Sequence, residues 1–260
     1  MPQPLTVEAV CLRTRNWHNS SCILSLFTRE IGLIPATARG ARRPKSRLGA
    51  VANLFTHSRL LLYPPRAGDL FLITEAELLN SFPGLSHSYE NLTTASQISE
   101  FLLAALPPRQ PEERLFQLLL TYLEQLAQLT PEHNSGPILL LFSFLLKALT
   151  FLGYRPELGR CARCRRELEP QATFDPQLGA LLCTACARTT GHFEPALGSD
   201  QLQFLKKLLH TPASQLARLK LAPRNPVSEP AVVLTLLGFI RHHYPGRKFP
   251  LLYRLAPESK

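Results

Sequence analysis

Four of the six cysteines in this 260-residue chain form two closely spaced pairs. Cys161 and Cys164 make the first C-x-x-C pair, Cys183 and Cys186 make the second, and 18 residues separate the pairs. This spacing is typical of zinc segments, because two intervening residues let both thiolates of a pair turn toward one ion. Four thiolates close a tetrahedral shell, so the spacing predicts one structural Zn²⁺ without a catalytic role.

Three alternatives to zinc remain at this point: an incidental cysteine-rich segment, two disulfides, or a redox C-x-x-C motif. A redox motif needs no second pair, and disulfides are not expected in a chain whose N-terminus shows no signal peptide. Cys11 and Cys22 stand apart and are predicted to be small buried strand residues. His192, His242 and His243 are interpreted as surface or core residues, since four cysteines already complete the shell.

A second candidate site is a cationic loop between two predicted strands. Five basic residues lie within nine positions: Arg39, Arg42, Arg43, Lys45 and Arg47. Gly40, Pro44 and Gly49 predict a loop at this place. Five cations with no acid among them repel one another, and the phosphates of a nucleic acid would relieve that repulsion. Arg13 and Arg15 are candidates to extend this surface; the alternative is an ordinary solvated charged surface.

The charge of the whole chain supports a polyanionic partner. The net charge is +10 and the isoelectric point is near 9.6, which favours nucleic acid or an anionic membrane surface. Residues 1–80 carry net +5 and residues 191–260 carry net +6, so the two ends are basic. The basic residues of the C-terminal end are candidates for a second contact surface; they include Lys206, Lys207, Arg247 and Lys248.

Four aromatic residues near the cationic loop have two interpretations. Trp17, Phe27, Phe55 and Tyr63 are either rings that stack on nucleobases or core residues, and core burial is the commoner fate of aromatic side chains. Catalytic motifs are missing from the sequence: it has no P-loop, no G-x-G-x-x-G, no H-E-x-x-H and no G-x-S-x-G. We therefore expect a protein that is not an enzyme.

The elements around these sites change in character near residue 80. Short apolar runs separated by turn residues predict five or so strands and hence a small barrel; the runs cover 7–12, 22–27, 32–38, 51–56, 60–63 and 69–74. Helical spacing then predicts six helices, over 92–106, 111–126, 138–151, 200–209, 212–219 and 230–244. The helix over 138–151 is apolar nearly all round. It is too short to span a membrane, so it is predicted to be a buried core helix.

Three segments and the order of these parts resemble the bacterial RecO family of DNA repair and recombination mediators. The first segment is 25–33, SLFTREIGL, with the basic run 38–43 just after it. The second is 153–158, GYRPEL, which leads directly into the first cysteine pair. The third places Phe174 and Gly179 shortly before the second pair.

The resemblance implies an α+β protein with an N-terminal OB-fold barrel over 1–80 and a helical domain over 81–260. A four-cysteine zinc segment is inserted in the helical domain at about 156–190. It further implies a DNA repair and homologous recombination mediator that binds single- and double-stranded DNA and anneals complementary strands. The implied partners are RecR, the acidic tail of the single-strand DNA-binding protein and, indirectly, RecA. The implied location is the bacterial cytoplasm at the nucleoid, with no membrane contact.

Two other functional classes compete with this interpretation. The first is a zinc-containing interaction adaptor whose contact with DNA is incidental, since residues 81–155 are not basic. The second is a zinc enzyme, which would need an open coordination position or another catalytic cluster, and neither is visible.

Overall fold

The computed structural model describes residues 3–130, 135–168, 171–190, 196–219 and 230–256. The chain divides into two compact units, Met1–Ala95 with Ala105–Gln128 and Ser96–Ala104 with Leu129–Lys260. This division follows packing in the folded chain and does not decide where an independently folding domain ends. The predicted domain boundary at residue 80 therefore stays a prediction.

The first unit contains a closed five-stranded barrel. Its strands are β1 (Leu5–Trp17), β2 (Ser21–Thr28), β3 (Gly32–Ala38), β4 (His57–Tyr63) and β5 (Phe71–Asn80). The order around the barrel is β1-β2-β3-β5-β4, and β4 pairs with β1 to close it. All neighbouring strands are antiparallel except β3 and β5. This is an OB-type barrel, so the predicted fold of the N-terminal part is confirmed.

Alternation along the strands builds the barrel core. Ile34, Ala36 and Ala38 occupy every second position of β3, and all three are buried in the core cluster. Cys11 and Cys22 belong to the same cluster, which confirms the prediction that they are small buried strand residues. Burial raises the pKa of Cys11 to about 12, so this thiol stays protonated and unreactive at neutral pH.

The predicted strand over 51–56 is wrong. Ala50–Ala52 form a single 3-10 turn, and the chain continues through an irregular segment into β4. Val51 and Ala52 are buried in the barrel core without pairing in the sheet. The hydroxyl of Thr56 donates to the carbonyl oxygen of Val51 at 3.1 Å and stabilises this turn. The apolar run thus reflects core packing rather than a sixth strand.

Helix α1 (Tyr89–Ala105) follows the barrel, and α2 (Glu113–Gln128) belongs to the first unit. The ring of Phe116 in α2 meets the ring of Phe27 edge-on, with centroids 5.6 Å apart. Gly32 begins β3 with φ +75°, and a Cβ there would lie 2.1 Å from the carbonyl oxygen of Gln110. Only glycine fits this close approach of two backbones.

The second unit is helical with one small sheet. Its remaining elements are α3 (Gly136–Phe151), β6 (Gln171–Asp175), β7 (Ala180–Cys183), α4 (Thr184–Ala187), β8 (Leu197–Gly198), α5 (Ser199–His210), α6 (Ala213–Leu216), α7 (Pro230–His243) and α8 (Pro250–Tyr253). Helix α3 is buried along most of its length, as predicted. The hydroxyl of Ser143 in α3 donates to the carbonyl oxygen of Leu208 in α5 at 2.7 Å. The helix predicted over 212–219 is shorter than expected and covers only α6.

Candidate metal centre and nucleic-acid interface

The first cysteine pair lies on a tight turn. The backbone N–H of Cys161 donates to the carbonyl oxygen of Arg166 at 2.7 Å, and that of Arg165 donates back to the Cys161 carbonyl at 2.9 Å. Arg165 has φ +62°, the left-handed conformation that reverses the chain. Arg160 and Glu167 form an antiparallel bridge at the base of the turn. The turn therefore directs both thiols to one side.

The second pair follows the hairpin of β6 and β7, which order as β7-β6-β8 in a three-stranded sheet. Cys183 ends β7 and is the N-cap of the short helix α4, which contains Cys186. The N–H of Ala162, inside the first pair, donates to the carbonyl oxygen of Leu181 in β7 at 3.0 Å. This bond joins the turn that contains the first cysteine pair to the hairpin that leads into the second.

The structure brings all four predicted cysteines together. Their sulfur atoms all lie within 4.8 Å of one another, and the Sγ atoms of Cys164 and Cys183 are 3.7 Å apart. A tetrahedral Zn²⁺ with bonds of ~2.3 Å requires sulfur–sulfur distances of ~3.8 Å, so the donor set fits such an ion. All six cysteines lie in the described part of the chain and none forms a disulfide, which removes the disulfide alternative.

Electrostatics in this cluster favour a cation. Burial raises the pKa of Cys161, but hydrogen bonds from nearby backbone N–H groups and from the Cys164 thiol outweigh it and lower the pKa to about 6. Desolvation raises the pKa of Cys186 to about 12, and the hydrogen bonds that this thiol makes with the other three thiols act in the same direction. Several thiolates at these distances repel one another unless a positive ion lies between them. The four cysteines could therefore hold a metal ion.

The histidines that the sequence singled out do not enlarge this cluster where the structure describes them. His243 stacks on the ring of Tyr154, with centroids 4.2 Å apart, and burial lowers its pKa. His242 is half-buried beside Gly179. Both agree with the interpretation as surface or core residues. His192 lies outside the described residues.

The cationic loop is a chain of tight turns. The N–H of Arg43 donates to the carbonyl oxygen of Gly40 at 3.0 Å, and that of Ser46 donates to the carbonyl oxygen of Arg43 at 3.1 Å. Ala41, inside the loop, is buried in the barrel core. The predicted loop is therefore present and has a defined conformation.

Two hydrogen bonds connect this loop to the β1–β2 hairpin. The N–H of Gly40 donates to the hydroxyl of Ser21 at 3.3 Å, and the N–H of Arg42 donates to the carbonyl oxygen of Ser20 at 2.9 Å. The sequence offered no signal for this contact, because Ser20 in the turn and Ser21 at the start of β2 are ordinary residues of a hairpin and lie far from the loop in the chain.

The five cations of the loop differ from three other arginines of the first unit. Arg29 pairs with Glu113, Arg59 pairs with Glu8 and Glu77, and Arg109 pairs with Asp69. All five loop cations are exposed, and within the described ranges none of them forms an ion pair; they are Arg39, Arg42, Arg43, Lys45 and Arg47. Their charge is thus available to an anion from outside the chain.

A groove of about 450 Å³ lies beside the loop. Its lining includes Arg39 and Arg43 from the loop, Trp17 and His18 from the β1–β2 hairpin, and Leu70 before β5. Arg42, Lys45 and Arg47 do not line this groove. The loop therefore presents two of its cations to a concave surface and the other three outside it.

The four aromatic residues separate into two pairs. Phe27 and Phe55 are core residues, with 0% and 3% of their surface exposed, so for them the base-stacking interpretation is wrong. Trp17 and Tyr63 are 48% and 41% exposed. The reason is tertiary: α2 covers Phe27, whereas Trp17 and Tyr63 end their strands at the rim of the barrel.

The basic residues of the second unit are less concentrated. Lys206 and Lys207 lie on α5, and Lys206 lines a polar groove together with Arg160, Glu157 and Glu167. Arg247 and Lys248 are exposed after α7. Acidic side chains interrupt this groove, unlike the acid-free loop on the barrel. A second DNA contact at these residues stays a prediction. Among the helices that the structure describes, none is both long and apolar enough to cross a membrane.

An OB-type barrel with an unpaired cationic loop, followed by a helical unit that contains a cluster of four cysteines, defines a class of OB-fold proteins with a built-in segment that could hold a metal ion. Comparison with protein families narrows this class. The model of the recombination protein O N terminus matches residues 1–82, and that of the C terminus matches residues 86–250. The chain therefore belongs to the recombination protein O (RecO) family.

Curated relatives agree with this assignment. The DNA repair protein RecO of Symbiobacterium thermophilum is 37% identical over 207 residues, which cover 78% of this chain and 79% of that protein. The DNA repair protein RecO of Pelotomaculum thermopropionicum is 34% identical over 236 residues, which cover 91% and 88%. That of a Nocardioides species is 36% identical over 195 residues, which cover 73% and 76%. The resemblance that the sequence motifs indicated is thus confirmed.

Proposed function

We propose that this protein is a DNA repair and homologous recombination mediator that binds single- and double-stranded DNA and anneals complementary strands. The observation that carries the proposal is the cationic loop, with five exposed basic side chains that no carboxylate of the described chain neutralises. Membership of the RecO family, whose curated members are named DNA repair proteins, supports the same conclusion.

The mechanism is electrostatic. Arg39, Arg42, Arg43, Lys45 and Arg47 bind phosphates and release condensed counterions, so affinity falls steeply with salt. Phosphate contacts carry no base information, so the sequence preference is slight. Two DNA backbones that share one cationic surface repel each other less, which favours annealing of complementary strands.

We propose further that the metal is a single structural Zn²⁺ bound by Cys161, Cys164, Cys183 and Cys186. The ion, when bound, supplies no reaction chemistry, because four thiolates leave no position for water. The cysteines instead cross-link the turn at the first pair to the β6–β7 hairpin.

Partners and location are inferred from the family. We propose that the protein works with RecR to assist RecA loading and that it binds the acidic tail of the single-strand DNA-binding protein. We place it in the bacterial cytoplasm at the nucleoid. No step of this function requires an enzymatic activity of the chain itself.

The test is a charge-matched pair of variants. Arg42→Ala with Arg43→Ala removes two unpaired loop cations, whereas Arg29→Ala with Arg109→Ala removes two cations that already pair with carboxylates. We expect the loop variant to bind DNA more weakly and its salt slope to shrink by about 0.7 for each single-strand phosphate that the loop no longer neutralises. The control should keep both values, because it changes net charge equally without touching the loop.

Equal DNA affinity, salt slope and annealing rate in the loop variant and the parent protein would refute the role of the loop. If an acidic peptide tail still bound in that case, the adaptor function would become the better description. Thermal unfolding of the parent protein and both variants checks that weaker binding does not come from poorer folding.

A further inference from the structure

We propose that Trp17 stacks on an unpaired nucleobase and makes the groove beside the cationic loop selective for single-stranded DNA. This inference rests on the proposed DNA-binding function. It assigns to one residue a preference that phosphate contacts by themselves do not produce, since both DNA forms offer phosphates.

The exposure of Trp17 is the first observation. The indole is 48% exposed at the end of β1, although its large apolar surface favours burial. Its ring neighbour is His18, whose centroid lies 4.9 Å away at an interplanar angle of 74°. This edge-to-face contact orients the indole without covering it in a parallel stack.

The backbone at His18 is the second observation. His18 has φ +50°, a left-handed conformation that costs energy for a residue with a Cβ. A glycine or asparagine would adopt it more readily. The β1–β2 hairpin thus tolerates some strain while the imidazole lies against the indole.

The third observation is the connection between this hairpin and the cationic loop. Ser20 and Ser21 accept the N–H groups of Arg42 and Gly40 at 2.9 and 3.3 Å. These bonds fix the position of the loop cations relative to the indole before any ligand binds, which lowers the entropic cost of binding. Trp17, Arg39 and Arg43 consequently line one groove.

The groove offers about 450 Å³ beside the loop, and its chemistry suits a nucleotide. Two guanidinium groups would bind phosphate oxygens, the indole would cover the face of a base, and the half-buried hydroxyl of Thr37 offers a polar contact.

Strand β1 extends the surface away from the groove. Arg13, Arg15 and Trp17 occupy alternate positions of β1, and all three are exposed. Alternate residues of a strand lie on one face, about 6.8 Å apart along it. A single strand bound along β1 would thus meet two cations and then the indole.

Selectivity follows from stacking. In a duplex each base is already stacked between its neighbours and presents no free face, so Trp17 adds nothing to duplex binding. Removal of an aromatic ring that stacks on one unpaired base typically lowers affinity by about 5- to 150-fold. During annealing, the base that is stacked on Trp17 must leave the indole as its base pair forms, because the same face of the base cannot stack on the indole and on a neighbouring base of the duplex.

The test compares Trp17→Ala with Tyr63→Ala, a matched control at another exposed aromatic residue of the barrel strands, which does not line the groove. Each protein is titrated with an oligo-dT strand and with a duplex of equal length. We expect Trp17→Ala to lower affinity about 5- to 150-fold for the single strand and less than about twofold for the duplex. Trp17→Phe should restore most of the affinity, and Tyr63→Ala should behave like the parent.

A direct signal is available because Trp17 is the single tryptophan of the sequence. Its intrinsic fluorescence should be quenched by oligo-dT but not by the duplex or by inorganic polyphosphate, which provides the charge without bases. Quenching of equal depth by polyphosphate would overturn the stacking role.

The possible failures can be told apart. If the parent protein binds both DNA forms and Trp17→Ala leaves their affinity ratio unchanged, the inference about Trp17 is wrong while the proposed function stands. An equal decrease in Tyr63→Ala would show that the effect does not belong to this groove. If the parent protein binds neither form, the proposed function itself fails.

Discussion

The backbone N–H of Arg42 donates a 2.9 Å hydrogen bond to the carbonyl oxygen of Ser20. The two residues are far apart in the chain, yet this bond connects the cationic loop after β3 to the turn between β1 and β2. The positions of the loop cations are therefore determined by the barrel, and the exposed indole of Trp17 lies in the same groove as two of them.

Substitution of Ser21 should loosen this arrangement. Ser21→Ala removes the hydroxyl that accepts the N–H of Gly40, so we expect a decrease of ~0.5–1.5 kcal/mol in the free energy of unfolding. DNA affinity should fall by about two- to fivefold, because the loop must then be ordered on binding. Urea denaturation and DNA titration measure the two effects. Ser25→Ala, on the same strand, is the control; an equal decrease of DNA binding in both variants would contradict the connection.

Metal content tests the cysteine cluster. We expect the purified protein to contain about one Zn²⁺ per chain and Cys161→Ser to contain none, with unfolding easier by more than ~3 kcal/mol, because metal-binding energy is folding energy. Metal analysis and thermal unfolding measure this. Cys11→Ala removes a buried thiol of the barrel and should keep the metal. A parent protein purified under native conditions without metal would exclude the zinc centre.

The pH dependence of stability should contain a contribution from His57. Its side chain is largely buried, and burial lowers its pKa although the Glu8 carboxylate lies 3.7 Å from Nε2 and raises it. Above the unfolded pKa of ~6.5, His57 is neutral in both the folded and the unfolded chain. As the pH falls below that value, His57 of the unfolded chain binds a proton while His57 of the folded chain is still neutral. We therefore expect stability to fall between about pH 6.5 and the lower folded pKa.

The His57→Gln variant isolates this contribution. The free energy of unfolding of this variant, measured by thermal unfolding, should depend less on pH over that interval than that of the parent protein. The two pH slopes should differ by at most ~1.4 kcal/mol per pH unit. Identical pH profiles of the two proteins would show that His57 titrates normally and that other groups cause the acid sensitivity.

Two glycines with the same backbone angle separate conformational strain from steric overlap. Gly32 and Gly68 both have φ +75°, but a Cβ at Gly32 would overlap the backbone of Gln110, whereas nothing lies within 4 Å at Gly68. Gly68→Ala should cost only ~1 kcal/mol for the left-handed conformation. Gly32→Ala should cost at least ~2 kcal/mol more, because two backbones must separate. Chemical denaturation of both variants measures the difference; equal costs would contradict the close approach.

Local pattern predicted most of the secondary structure. A short apolar run between turn residues marked β3, and continuous apolarity marked α3 as a buried helix. The same reasoning failed at 51–56, where apolar residues pack into the barrel core from an irregular segment. It also missed the sheet of β6, β7 and β8, whose strands are only two to five residues long. Runs this short carry too few periods to be recognised.

By itself, the sequence determined the four cysteines as one cluster, the acid-free cationic loop, the barrel-then-helices order and the family. All of these depend on spacing or composition within short segments. Tertiary structure alone decided which charges are neutralised and which aromatic rings are exposed. Arg29 and Arg59 look like the loop cations in sequence, yet carboxylates from other elements pair with them. Phe27 and Trp17 look alike as strand aromatics, yet in the fold Phe27 packs against Phe116 of α2 and is buried, whereas Trp17 ends its strand and stays exposed.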